Sequence, residues 1–279
     1  MTMPKLITLL CSLCFTLYFT QSSKKKELLA AEIMMEDGST KTGFLKDFVQ
    51  PIILGYGLMP GPISIEKKLN LDTKEFKLQK NKDSDYEILN IGNIKSIIIY
   101  DDPENEEEKM RYDKAKLKTV NSNYEIIDLN KTVMLPLLKG GKINLYGFFI
   151  GNTPEHVTSS SLFIPYLKKN DDEYAYIPLD INRINILNLG SIKGKYKKAF
   201  EEVTKDCPVF QKELEHYMNH LNDKKNRKEL YTVKEEKRKD AQKTIKNKEM
   251  LEYILQKIET DFHLAQYTEI MNTYSNICP

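Results

Sequence analysis

The chain divides into two parts according to the period of its apolar residues. From Leu28 to about Asn188, apolar and polar residues alternate over short runs that end at Gly, Pro, Asn or Asp, as in strands joined by turns. After Gly190 the apolar residues recur three or four positions apart, as on one face of a helix. This order predicts an α+β fold, with an antiparallel β domain at 27–190, sandwiched or barrel-like, followed by a helical region at 191–279.

Turn residues predict three hairpins within the β domain. The first turns at Asp37-Gly38-Ser39, because Asp-Gly between two apolar-rich runs is a strong signal for a tight turn. The second turns at Gly140-Gly141, and the third turns at Asn170-Asp171-Asp172. The runs EFKLQKN and IKSIIIY are typical of two further strands. The segment Pro51–Pro62 contains three prolines and three glycines, so we predict a loop or a set of short edge pieces there.

The helical region carries several apolar faces. Ala199, Phe200 and Val203 mark the first helix. Pro208 fits the first turn of a second helix, where the N–H that proline lacks would have no partner in any case. The later faces consist of Phe210, Leu214, Tyr217 and Leu221 in the second helix and of Leu251, Ile254, Leu255, Ile258 and Phe262 in the third. Ile270, Met271 and Tyr274 continue the third face, in the same helix or in a further short one.

A charged arm at 223–249 lies between the second and third of these faces. It holds 11 Lys/Arg against 6 Asp/Glu and has few apolar residues. One interpretation is a weak contact with anionic surfaces such as lipid headgroups; the other is a solvated helix. Because the acids are interleaved with the bases, we favour the solvated helix. The formal net charge of the whole chain is only +2, so we expect no nucleic-acid partner.

The first residues predict export. Lys5 precedes the apolar run Leu6–Phe19, which is shorter than the roughly 20 residues that a membrane span needs and suits a secretory signal. Cleavage after Ser22 would leave small residues at the two positions that define the cleavage site. We therefore interpret residues 1–22 as a signal peptide and expect a periplasmic or extracellular mature protein. An uncleaved anchor followed by the lysines at 24–26 is the alternative, and no later segment is apolar enough to span a membrane.

Removal of that signal leaves two cysteines, Cys207 and Cys278, each followed by a proline. A nucleophile, a metal ligand, a buried apolar residue and half of a disulfide are all roles that a cysteine can take. No signature of a catalytic cysteine surrounds Cys207. Because export exposes both thiols to oxidation, we predict a structural disulfide that ties the end of the chain to the start of the second helix.

Histidines give the one spacing that is typical of a metal site. Glu213, His216 and His220 lie at i, i+3 and i+7, and two histidines at i, i+4 can hold zinc. Further ligands and the HExxH pattern are missing, so we favour a solvated helix flank and predict neither metal nor cofactor. His156 and His263 have no partner that the sequence identifies.

Other chemical motifs are incomplete. Gly140-Gly141-Lys142 lacks the remaining residues of a phosphate-binding loop, and the chain has neither GxSxG nor GxGxxG. The acidic runs at 83–85 and 171–173 do not form a calcium-binding loop, so turn chemistry explains them better. The sequence therefore identifies no reaction and no catalytic residue.

Three stretches together resemble uncharacterised secreted proteins of Bacteroidetes-type Gram-negative bacteria. They are the opening strand–Asp-Gly–strand unit with Gly43, the run INLYGFF, and the run KKAFEEVTKDCPVFQKEL before a helical tail. The resemblance spans most of the mature chain and is best defined from Phe200 to Leu214. It implies export and a β-then-α order, and it implies no catalytic residues.

Two functional hypotheses follow from these observations. The leading one is a non-catalytic binding or structural protein of the periplasm or cell surface. The alternative is a secreted hydrolase whose catalytic residues meet only in the fold. A pocket lined by carboxylates or histidines with shifted pKa values would favour the hydrolase, whereas a broad exposed apolar or tyrosine-rich patch would favour the binder.

Overall fold

Strands followed by helices make up the described part of the chain, so the α+β prediction is confirmed. The computed structural model describes residues 28–48, 53–55, 71, 73–81, 83–100, 109–151, 162–180 and 191–278. The strands are β1 (Leu29–Met35), β2 (Thr40–Lys46), β3 (Ile53–Gly55), β4 (Glu75–Gln79), β5 (Tyr86–Asn90), β6 (Ile94–Tyr100), β7 (Lys109–Val120), β8 (Ile126–Lys139), β9 (Ile143–Gly151), β10 (Leu162–Lys169) and β11 (Tyr174–Ile177). The helices are α1 (Ile192–Val203), α2 (Pro208–Asn222), α3 (Lys224–Thr244) and α4 (Lys248–Ile277).

Strands β7 to β11 close into a barrel. Each of them pairs antiparallel with the next, and β11 returns to pair with β7. The closing pair is parallel because the fifth strand of an up-and-down meander runs in the same direction as the first. Strand β7 is long enough to have two neighbours on one side, since Lys109–Asp113 pairs with β6 and Lys116–Thr119 pairs with β11.

The sheet continues from β7 into an open half. Its order is β6-β1-β2-β4-β5, and every pairing in this half is antiparallel. Among the described residues β5 pairs only with β4, so the sheet ends at β5. Strand β3 lies apart from this order and adds to β9 in parallel.

Three apolar clusters form the core. One fills the barrel, a second lies between the barrel and the helices, and a third lies under the open half of the sheet. Successive side chains along a strand point to opposite faces, so each barrel strand contributes to both of the first two clusters. On β9, Tyr146 faces the barrel interior and Leu145 faces the helices. The third is formed largely by Ile33, Leu45, Leu78, Ile94, Ile97, Ile99 and Tyr112.

The helices cover one side of the barrel. Helix α1 packs on β7, β10 and β11, and α4 packs on β9. The first predicted face is confirmed, because Ala199, Phe200 and Val203 are buried, and α2 begins at Pro208 as predicted. None of the described helices combines the length and the apolar character that a membrane crossing requires.

At the end of the chain, the predicted continuation of the third helical face is confirmed, and the alternative of a further short helix is excluded. Lys248–Ile277 is a single helix of 30 residues, because nothing between Phe262 and Ile270 breaks it and Tyr267 continues its buried face. The buried residues Ile270, Met271 and Tyr274 therefore belong to the same helix as Phe262.

The predicted hairpins are confirmed, and other features lie beyond the predictions. The three turns join β1 to β2, β8 to β9 and β10 to β11, with Gly38 at a φ of 83° in the first. The strands β5 and β7 had not been predicted. Within Pro51–Pro62 only β3 is described, and the predicted signal peptide at 1–22 lies outside the described residues.

Candidate functional site

Polar side chains converge at one end of the barrel. Asp113 is 7% exposed and accepts hydrogen bonds from Arg111 Nε at 2.7 Å and from Tyr146 OH at 2.8 Å. Asn144 Nδ2 donates to Tyr146 OH at 3.2 Å and to Asn170 Oδ1 at 2.6 Å. The five residues come from β7, from β9 and from the turn after β10, because those parts of the meander meet at the same end.

Burial sets the protonation states in this polar cluster. It raises the pKa of Tyr146 far above its ordinary value, and the Asp113 carboxylate raises it further, so Tyr146 stays a hydrogen-bond donor. Lys168 lies directly across from Asn144 in the β9–β10 pair and is 9% exposed. Burial lowers the pKa of Lys168, and the carboxylates of Asp113 and Asp172 offset part of that change.

The barrel end is better suited to structure than to catalysis. Both oxygens of Asp113 already accept hydrogen bonds, and burial together with the Asp113 carboxylate raises the pKa of Tyr146, so the hydroxyl keeps its proton. Within the described ranges, no three His, Cys, Asp or Glu side chains are grouped so that they could hold a metal ion. The cluster therefore satisfies buried polar groups where the barrel would otherwise open to water.

Polar contacts fasten the helices to this same end. Asp206, just before α2, accepts hydrogen bonds from Lys169 of β10 and from Tyr274 of α4. The Lys169 ammonium and the Tyr274 hydroxyl hold the pKa of Asp206 below its usual value. Lys142, in the turn between β8 and β9, donates to the backbone carbonyls of Ser275 and Cys278. The Lys142 ammonium thereby satisfies carbonyls that the last turn of α4 leaves without partners within the helix.

Cys207 and Cys278 are joined as a disulfide beside these contacts. Their Cα atoms lie 5.9 Å apart, within the usual range, and both residues are buried in the cluster between barrel and helices. The bond connects the start of α2 to the end of α4, as the sequence predicted. Cys207 is therefore placed as a structural anchor, and its oxidation in the exported protein stays a prediction.

A second buried ionic group lies between α3 and α4. Lys234 Nζ lies 3.2 Å from Glu259 Oε2, and His263 Nε2 lies 3.2 Å from Glu259 Oε1. Arg238 approaches the same carboxylate at 3.7 Å. The Lys234 ammonium also lies 4.5 Å from the ring centre of Phe262. Burial alone would raise the pKa of Glu259, but His263 and Lys234 outweigh it and the pKa is lowered.

Sequence reasoning missed this ionic group. It placed Lys234 on a solvated arm, yet Lys234 is 3% exposed because α3 turns it towards Glu259. The rest of the arm fits that interpretation better, since most of the described side chains of α3 are exposed. His263 does have a partner, and the spacing of Glu259 and His263, one helical turn apart, is the signal that could have identified it.

The predicted metal-like spacing is not assembled into a described site. Glu213 and His216 are exposed, and the His216 ring lies beside Tyr217 with its centre 5.9 Å away. The side chain of His220 lies outside what the structure describes.

The open edge of the sheet presents apolar side chains to solvent. On β5, Tyr86 is 45% exposed and Ile88 is 54% exposed. Both lie on the face opposite the core, whereas Leu89 is buried and Glu87 pairs with Lys41. The ammonium groups of Lys46 and Lys77 lie 5.6 and 5.3 Å from the ring centre of Tyr86. The edge is thus apolar and aromatic, with cations beside it.

Backbone groups of the same residues face away from the sheet. The Ile91 N–H donates to the Lys74 carbonyl at 2.8 Å, so Ile91 and Lys74 form a hydrogen-bonded pair. Bonded and non-bonded pairs alternate along antiparallel strands, so Leu89 and Glu87 also bond to β4. The N–H and C=O groups of Tyr86 and Ile88 and the N–H of Asn90 consequently point outwards, whereas the Asn90 carbonyl accepts the first bond of the short 3-10 helix Ile91–Asn93. Exposed apolar side chains and outward-facing backbone groups coincide here.

Comparison with known proteins gives no relative. No family model matches the chain, and no similar protein is found among curated proteins or solved structures. The resemblance to secreted bacterial proteins therefore stays a prediction, and any functional argument depends on the geometry described above.

Proposed function

We propose that the chain is an exported, non-catalytic binding protein of the periplasm or cell surface that engages an extended polypeptide along the free edge of β5. The observation that carries the proposal is the coincidence, on Tyr86 and Ile88, of exposed apolar side chains with outward-facing backbone groups. Strand addition needs both features, because backbone hydrogen bonds provide affinity and alternate side chains provide specificity.

Two described carboxylates, Asp206 and Glu259, fit a binder better than the alternative, a secreted hydrolase. A hydrolytic general acid needs a raised pKa, so that its carboxyl group is protonated near neutral pH. Lys169 lowers the pKa of Asp206, and His263 and Lys234 lower that of Glu259. These groups are therefore held ionised by their partners, as in structural ion pairs.

Two features support export. Residues 1–22 have the short apolar run and small residues of a cleavable signal. The Cys207–Cys278 pair lies in bonding geometry, and disulfides persist mainly in oxidising compartments. We expect the intact mass of the exported protein to correspond to a first residue between Gln21 and Lys24. A mass that retains residues 1–19 would show an uncleaved anchor instead.

Selection from a random peptide library tests the binding proposal without a known partner. We expect immobilised protein to enrich peptides with alternating apolar residues, and these peptides to slow amide exchange at Tyr86, Ile88 and Asn90. An Ile88→Lys variant should lose the peptides, while Val209→Lys, which changes a 61% exposed residue of α2, should keep them. Peptides that bind equally well to the Ile88→Lys variant would place the binding surface elsewhere.

A further inference from the structure

We infer that the segment that β5 binds is β5 of a second copy of this chain, paired antiparallel about a two-fold axis at Ile88. This inference rests on the proposed function of the β5 edge and names its partner. The two copies would continue one sheet through the other, with the free edge of each covered by the other.

The backbone of β5 is self-complementary in this arrangement. A two-fold axis at Ile88 places Ile88 opposite its own copy and Tyr86 opposite Asn90. The two facing Ile88 residues can exchange both of their hydrogen bonds, and the Asn90 N–H of each copy can donate to the Tyr86 carbonyl of the other. Any regular edge strand has such axes, so the side chains select the one at Ile88.

The side chains also fit a symmetric pair. An isologous interface brings each residue close to its own copy, so a charge at the axis would be repelled. The side chains of Tyr86, Ile88 and Asn90 lie on the same face of β5. None of the three is charged, although 29% of the residues in the chain are charged. Glu87 would lie opposite Leu89 of the other copy, and its carboxylate is already paired with Lys41.

Among the described residues, the edge lacks three common kinds of protection against such pairing. Monomeric sheet proteins commonly place lysine, proline or a bulge on an exposed edge strand. Strand β5 has neither lysine nor proline, and its pairing with β4 is regular over all five residues. The adjacent lysines, Lys46 and Lys77, lie near the Tyr86 ring instead of on the edge.

The size of the contact predicts a weak dimer. A pair of five-residue strands buries much less than the roughly 1,200 Å² that marks the lower end of stable interfaces. We therefore expect a monomer in dilute solution and a dimer that forms as the concentration rises.

Sedimentation equilibrium of the mature protein, from about 1 µM to about 1 mM, covers the range of such weak contacts. We expect the average mass to rise towards two chains. The Ile88→Lys variant should stay monomeric because it places two ammonium groups at the axis, and so should Ile88→Glu. An equimolar mixture of the two variants should restore the dimer, whereas the control Val209→Lys should associate like the unmodified protein.

Amide exchange followed residue by residue tests the register. As the dimer forms, exchange should slow at Ile88 and Asn90 and stay unchanged at Glu87 and Leu89, which already bond to β4. A protein that is monomeric throughout the range, or a dimer that Ile88→Lys leaves intact, would overturn the inference. Either result would leave the binding of selected peptides to β5 unaffected. The peptide selection therefore tests the proposed function independently of the dimer.

Discussion

The two halves of the sheet end in opposite ways. On one side, β11 closes onto β7 and the barrel has no free edge between these strands. On the other side, the sheet ends at β5, and among the described residues no strand lies beside the outer backbone groups of β5. Closure removes the hazard of an exposed edge, whereas an open edge persists only where it is protected or used. Within the described sheet, β5 is therefore the strand to which a further strand could add.

Buried polar groups follow the same division. The closed half and its helices hold the Asp113–Tyr146 cluster, the Lys234–Glu259 pair and the disulfide. The core under the open half is formed almost entirely by apolar side chains, with its ion pairs at the exposed rim. We therefore expect changes on the closed side to affect stability and changes at β5 to affect association.

The largest loss of stability should come from removing the disulfide. The bond joins residues 71 positions apart, and closing a loop of this length is worth about 4 kcal/mol in the chain-entropy model. We expect Cys278→Ser to lower the free energy of unfolding by up to about that amount, measured by urea unfolding. The double variant Cys207→Ser, Cys278→Ser should lose no more than the single one.

Peptide mapping without reductant provides the independent check. A peptide that contains both cysteines should appear in the mature protein and disappear on reduction. Two free thiols in protein taken from an oxidising compartment would contradict the disulfide and reopen the question of a reactive Cys207.

Next in size is the effect of Glu259→Gln. It leaves the buried Lys234 ammonium without its carboxylate, and breaking a buried pair typically costs about 3 kcal/mol. The matched control is Glu236→Gln, an exposed position on α3, which should change stability by less than about 0.5 kcal/mol. Equal effects of the two variants would show that α3 does not pack on α4 through this pair.

Acid should weaken the same contact. The pKa of Glu259 is lower in the folded protein, so its contribution is present above the ordinary glutamate pKa of about 4.3. That contribution is lost as the pH falls through the lower, folded-state value. The difference in stability between the unmodified protein and Glu259→Gln should therefore shrink below about pH 4, in urea unfolding repeated across pH.

Local patterns predicted the hairpins and the helix faces but not the pairs between distant elements. Asp37-Gly38 and Pro208 are strong signals because their backbone chemistry is decided within a few residues. The pairing of β7 with β11, by contrast, joins strands that are nearly sixty residues apart, for example at Lys116 and Tyr174. No local period specifies such a contact.

Strand β7 was missed for a related reason. Its cations at 109, 111, 114, 116 and 118 mask the alternation of Ala115 and Leu117, which face the barrel interior. The burial of Lys234 on α3 could not be predicted either, because the carboxylate that stabilises its buried ammonium belongs to Glu259 on a different helix, α4. The β5 edge was not predicted either, because a five-residue strand with three exposed residues at its start has a weak pattern.

A matched pair of tyrosines compares the two halves directly. Tyr146→Phe removes the hydroxyl that donates to the buried Asp113 carboxylate, and a lost bond to a charged group costs about 2 kcal/mol. Tyr86→Phe keeps an exposed aromatic ring on β5, so it should change unfolding by less than about 0.5 kcal/mol. Thermal or urea unfolding of the two variants decides whether the barrel end is a structural cluster. Indistinguishable variants would remove that distinction between the halves.

The smallest effect on stability is expected from Ile88→Ala in dilute protein. Ile88 is 54% exposed on the outer face, so its truncation should change the free energy of unfolding by less than about 0.5 kcal/mol. Ile97 of β6 is fully buried on the core face of the same sheet, and Ile97→Ala should cost about 2–5 kcal/mol. Urea unfolding at micromolar concentration compares the two before any dimer forms. A loss above about 1 kcal/mol for Ile88→Ala would mean that Ile88 is covered within the monomer, and β5 would then not be an open edge.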